Sequence, residues 1–227
     1  EFLKNPFDYD FARQSVTLKL PPGVAANPAA LLMLVSNEPE TPHLFQALGR
    51  ELLLFTELPA RTDRVIALYQ AGQLPATPVC TPAPDLMPEP EAGGRTAVIA
   101  TGRARFRIPW GNATDDALPP LLAVMAADGV WRGQGRFSLP QGVRIAQRQT
   151  TVLEQGPLQL RVEVRYDLSN GQTYAQRFTA HRDEAYLLAH EISPGLAGAG
   201  FEFSLREFSG GRSYLFWCTE NGTRSWY

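Results

Sequence analysis

Four tryptophans, Trp110, Trp131, Trp217 and Trp226, carry the binding chemistry that is easiest to read in this chain. A pyranose ring presents an apolar C–H face that stacks on an exposed indole, while nearby amides and carboxylates take its hydroxyls. Trp110-Gly111-Asn112-Ala113-Thr114-Asp115-Asp116 reads as a loop of this kind, and Val130-Trp131-Arg132-Gly133-Gln134-Gly135 reads as a second. The candidate ligand-binding residues are therefore Trp110, Asn112, Asp115 and Trp131. The competing reading is that these tryptophans close the ends of a core, since tryptophan is mostly buried on average.

Other chemistries are less well supplied. His43, His181 and His190 are the only histidines, and neither a Cys-x-x-Cys nor a His-Glu-x-x-His pattern occurs, so no metal site is expected. His190 and Glu191 are strand neighbours that point to opposite faces. No Gly-x-Ser-x-Gly turn is present to raise a nucleophilic serine. Paired carboxylates suit glycoside hydrolysis. The available carboxylates are Asp115-Asp116, Asp183-Glu184, Glu202 and Glu207; the two pairs read as turn residues, and Glu202, between Phe201 and Phe203, faces solvent. A lyase would need a base such as Tyr174 or His181 to converge in one groove with an arginine such as Arg177. No motif fixes catalytic residues, and no cofactor is implied.

The elements that must position these residues are strands. Nineteen glycines and nineteen prolines fall between short apolar runs, a spacing that favours strands and turns over long helices. Strand patterns occur at 14–20, 30–35, 51–56 and 64–69, then at 103–108, 124–127, 143–152, 186–192, 201–206 and 214–219. Between the two sets Pro75, Pro78, Pro82, Pro84, Pro88 and Pro90 dominate; proline lacks a donor and fixes φ, which disfavours helix and central strand alike. The expected organisation is all-β, with two β-sandwich-like modules. A small one spans residues 1–76, a Pro-rich linker without regular structure spans 77–94, and a larger antiparallel module spans 95–227. The last ends inside a strand pattern, as a truncated C-terminal end would.

The sharpest local pattern is a hairpin. Leu158, Leu160, Val162, Val164, Tyr166 and Leu168 share one face at period two, and Ser169-Asn170-Gly171 makes the turn. A two-residue turn would pair Val164 with Arg177 and mix the faces. A three-residue loop with Gly171 at positive φ pairs Tyr166 with Tyr174 and Val162 with Phe178, which keeps apolar residues together.

Lysine plus arginine total 21 against 23 acidic residues, a net charge of −2 that argues against nucleic acid as a partner. The longest apolar run, Ala29 to Val35, is far short of the roughly 20 residues that span a bilayer, so no membrane partner is expected. Cys80 and Cys218 could pair or remain two thiols.

Leu54-Phe55-Thr56-Glu57-Leu58-Pro59-Ala60, with Thr62 and Val65 to Tyr69, resembles the closing strands of small β-sandwich modules that precede catalytic domains in bacterial polysaccharide-degrading enzymes. Thr151-Val152-Leu153-Glu154-Gln155-Gly156-Pro157-Leu158 is similar to the "glutamate, x, glycine-proline" strand start of larger sandwich domains in exo-rhamnogalacturonan-lyase-like proteins. The resemblance implies a secreted or periplasmic, multidomain, carbohydrate-active protein whose catalytic region lies beyond this chain. It implies a polysaccharide or oligosaccharide partner and a non-catalytic role in orienting or binding it. Two alternatives stand beside it: a lyase or glycoside hydrolase with its site in the second module, and a structural or assembly module.

Overall fold

The computed structural model describes residues 2–24, 31–35, 43–70, 84–90, 93–114, 117–125, 128–192, 200–205, 215–219 and 222–226. These residues form strands, turns and bends and contain no α-helix. Among the described residues no helix is long and apolar enough to cross a membrane.

The first part comprises β1 (Phe2–Lys4), β2 (Phe11–Lys19), β3 (Leu31–Val35), β4 (Phe45–Leu48), β5 (Glu51–Leu58) and β6 (Asp63–Gln70). They make two three-stranded sheets, ordered β1-β6-β3 and β2-β5-β4. Leu18, Leu20, Met33, Phe45, Leu52, Leu54 and Ile66 form one buried cluster between them.

The second part begins with β7 (Asp85–Pro88), β8 (Thr96–Ala100), β9 (Arg105–Pro109), β10 (Asn112–Thr114), β11 (Ala123–Met125), β12 (Trp131–Arg132) and β13 (Gln134–Ser138). It continues with β14 (Ile145–Gln155), β15 (Gln159–Leu168), β16 (Thr173–His181), β17 (Leu187–Ile192), β18 (Gly200–Ser204), β19 (Leu215–Thr219) and β20 (Gly222–Trp226). Two five-stranded sheets, β10-β14-β15-β16-β17 and β12-β11-β9-β8-β7, lie face to face in a sandwich-like pair. Ala97, Ile99, Phe106 and Ile108 from one meet Leu160, Val162, Val164, Tyr166, Tyr174 and Phe178 from the other. No residue belongs to both this cluster and the first.

The hairpin pattern is realised as read. Tyr166 pairs with Tyr174 and Val162 with Phe178. Gly171 has φ 81°, and the Leu168 amide donates to the Gln172 carbonyl at 2.9 Å. Side-chain period and turn chemistry agree here, so register is fixed twice over.

The proline-rich stretch departs from expectation. Asp85–Pro88 is not irregular: it is edge strand β7, paired with Ala97 to Ala100. An edge strand tolerates proline because one row of its amides has no ladder partner to lose. Residues 71–83, including Cys80, lie outside the described residues, as do the side chains at 206–227, including that of Cys218. Two expected loops are also strands: Asn112–Thr114 pairs with β14, and residues 131–138 supply β12 and β13.

Candidate functional site

Register builds a groove on the outer face of the β7–β8–β9–β11–β12 sheet. One cross-strand row runs Arg105, Met125, Trp131, and the adjacent row runs Met87, Val98, Arg107. Phe106 and Ile108, which alternate with Arg105 and Arg107 along β9, turn into the core, as period two requires. The groove encloses about 660 Å³, and Trp131, Met125, Met87 and Val98 give it apolar walls. Its polar wall is braced. Arg107 donates twice to Glu89, each at 2.8 Å, and the Thr96 hydroxyl donates to the same carboxylate at 2.8 Å. Burial pushes the Glu89 carboxyl up, but the Arg107 and Thr96 hydrogen bonds and the Arg107 charge outweigh it and hold it below its ordinary range. The Arg107 guanidinium also lies over the Trp131 ring, 4.1 Å from its centroid, which fixes the indole's orientation.

The other sequence candidates are placed elsewhere. Trp110 is half-buried and packs on the main core. Its carbonyl and that of Gly111 accept hydrogen bonds at 3.2 and 3.1 Å from Arg148, a fully buried side chain. Asn112 is exposed on β10. Neither Trp110 nor Asn112 lines the Trp131 groove. Asp115, with Asp116 and Glu207, lies outside the described residues.

The lyase set does not converge. Tyr174 is fully buried on the core face of β16, and its hydroxyl donates to Gln176 Oε1 at 3.0 Å. Burial pushes its pKa well above the ordinary value, with the Glu191 charge adding to the effect. Arg177 is an odd number of residues away, so it faces outward, where it bonds Glu163 at 2.7 Å. His181 shares the Arg177 face but is buried, with Nε2 3.0 Å from Gln159 Oε1. The histidines stand apart: His43 Nε2 lies 2.6 Å from the Phe55 carbonyl, and His190 sits opposite Arg177. Among the described residues no group of three or more His, Cys, Asp and Glu could hold a metal. Glu202 is exposed on β18. Asp183 and Glu184 are engaged by Arg13 at 3.5 Å each.

That last contact belongs to a junction the sequence reading did not anticipate. Gln46 of β4 is 3 % exposed, and its amide is satisfied from both ends. Oε1 accepts from the Leu158 and Gln159 amides at 3.0 and 2.6 Å. Nε2 donates to the Gln159 carbonyl at 3.1 Å and to Glu154. A Cβ on Gly156 would fall on the Gln46 amide group. The glutamate-x-glycine-proline run is thus the receptor for one side chain from the first core. Burial pushes the Glu154 carboxyl up, against the pull of Gln46 and Arg161. Beside this junction Leu48, Arg161, Arg177, Thr179 and His190 line a cleft of about 360 Å³.

The fold and its sites define an all-β chain with two buried cores. No family model, curated protein or solved structure matches it.

Proposed function

We propose that this chain is a non-catalytic, polysaccharide-binding part of a larger glycan-processing protein, acting outside the cytoplasm. In this reading the two parts are β-sandwich-like modules, the second starting at edge strand β7 (Asp85–Pro88). The Trp131 groove holds the glycan. The observation that carries the reading is the groove's composition: an indole and two methionines beside a rigid guanidinium–carboxylate pair. Apolar walls suit the C–H faces of sugar rings. Planar Arg and Glu side chains exchange paired hydrogen bonds with vicinal hydroxyls. Trp131 was singled out from sequence for this chemistry; Met87, Met125, Val98, Glu89 and Arg107 were not.

The test is Trp131→Ala, followed by melting and by titration with a panel of soluble polysaccharides. Losing about 100 Å² of apolar contact at about 25 cal/mol per Å² removes about 2.5 kcal/mol, roughly a 60-fold loss of affinity. The melting temperature should fall little, because Trp131 is half-buried on a two-residue strand. Trp110→Ala is the control: its half-buried ring packs on the core, so it should lower the melting temperature more than Trp131→Ala and leave glycan binding unchanged. Undiminished binding by the Trp131 variant refutes the groove.

A further inference from the structure

Phe7 and Tyr9, between β1 and β2, are 51 % and 55 % exposed. They are not loose. Their rings stack at 5.3 Å with 24° between planes, and Tyr9 continues the row to Phe11 at 4.9 Å. Beneath them Asn5 is 1 % exposed and bonds the loop from inside. Its Oδ1 accepts from the Phe7 amide at 3.1 Å. Its Nδ2 donates among the carbonyls of Tyr9, Leu58 and Pro59 at 2.8 to 2.9 Å. The facing turn is tied in as well: the Arg61 amide donates to the Phe7 carbonyl at 3.1 Å, and the Ala60 amide to Asp10 Oδ1 at 2.7 Å. Arg61 itself holds φ 50°, a strained value for a residue with a side chain, of the kind kept where surroundings over-determine it. Its guanidinium pairs with Asp8.

A loop fixed by a buried asparagine therefore holds two aromatic rings in water. Exposing them costs apolar hydration that a polar loop would avoid. We infer that Phe7 and Tyr9 form a second, preorganised platform for a sugar ring, flanked by Asp8, Asp10 and Arg61 as hydroxyl partners. The inference rests on the glycan reading of the Trp131 groove for its ligand class. A protein partner fits less well. Half-exposed aromatic side chains offer roughly 100 Å² each, against about 800 Å² per partner in a stable protein interface. Stacking plus a few directed hydrogen bonds needs no more than two rings and their neighbours. Rigid rings lose little freedom on binding, so contact converts efficiently to affinity.

Two sites on one chain make the second binding step of a long polymer intramolecular, whereas a short oligosaccharide engages one site at a time. The experiment compares the whole 227-residue chain with Phe7→Ala/Tyr9→Ala and with Trp131→Ala. Each is titrated with xylan, β-glucan, mannan and pectin, and with tetrasaccharides of each. The double variant is expected to keep its melting temperature within a few degrees. It should bind the preferred polymer at least tenfold more weakly and lose half or less of its affinity for the tetrasaccharide at the Trp131 groove. The single variants F7A and Y9A should each show part of the loss. Polymer binding unchanged in the double variant but lost in Trp131→Ala overturns the second platform and leaves the groove standing. Binding lost in the double variant but intact in Trp131→Ala supports the platform and refutes the groove. A patch whose removal abolishes self-association in sedimentation, with glycan binding unchanged, is a protein contact and overturns the inference. A wild-type chain that binds none of the panel overturns both readings.

Discussion

Gln46→Ala isolates the junction between the two cores. The side chain makes four hydrogen bonds across it, two of them as acceptor for the Leu158 and Gln159 amides. Alanine leaves both amides buried without an acceptor. At about 1–3 kcal/mol for each unsatisfied buried donor, the loss is about 2–6 kcal/mol. Water entering the gap recovers part of this, so about 3 kcal/mol is expected in urea unfolding followed by tryptophan fluorescence. Hydrogen exchange gives the local readout: the Leu158 and Gln159 amides should exchange faster while the Val162–Phe178 ladder stays protected. Gln46→Glu keeps the acceptor but sets a second carboxylate against Glu154. Like charges raise the pKa of the pair, so this variant should regain stability as pH falls from 7 towards about 5. A change in stability below about 0.5 kcal/mol for Gln46→Ala, with unaltered amide protection, would refute the reasoning.

Two further outcomes follow from the same geometry. Burial holds the His181 imidazole below its ordinary 6.5, with Arg13 adding to that and Glu184 opposing it, and its Nδ1 is buried without a partner. The unfolded chain therefore takes up the proton first. Stability is full above about pH 6.5 and is lost as pH falls through the folded value, so His181→Gln should flatten the melting-temperature curve between about pH 7 and 5; parallel curves for the two proteins would sink this. Gly171→Val puts a β-branched residue at φ 81° and should cost about 2 kcal/mol or more by thermal unfolding; an unchanged melting temperature would show that the turn readjusts freely.

The strand class, the hairpin register and the turn at Gly171 were legible because period-two patterning and turn chemistry state them independently. Asp85–Pro88 was not, since prolines at an edge look like prolines in a linker until the partner strand is known. Trp131 was legible as a residue but its groove was not. Met87 and Val98 come to Arg107 only through pairing across β7, β8 and β9. Thr96 to Ile99 are all buried, so that run carries no alternation from which its outer face could be read. Phe7, Tyr9 and Asn5 sit in a short bend with one proline, Pro6, and no motif; only long-range bonds to Leu58 and Pro59 show what the asparagine does.

Bulges explain why the junction was hidden. Counting by twos from Val152, which pairs with Val162 on the core face, puts Glu154 on that face too. A register shift between them instead sets Glu154 opposite Arg161, on the outer face where Gln46 arrives. β2 repeats the device: its register shifts between Phe11 and Gln14. Arg13, at φ 32°, reaches the Arg182 carbonyl, Asp183 and Glu184, and its guanidinium lies 4.6 Å from the Phe55 ring centroid. Each bulge re-aims one charged side chain towards the other core. Strict alternation would have turned Glu154 into the core at a desolvation cost no partner there could offset. Of the three register shifts in the ladders, these two lie where the cores join, and the third is between Ile145 and Gln147.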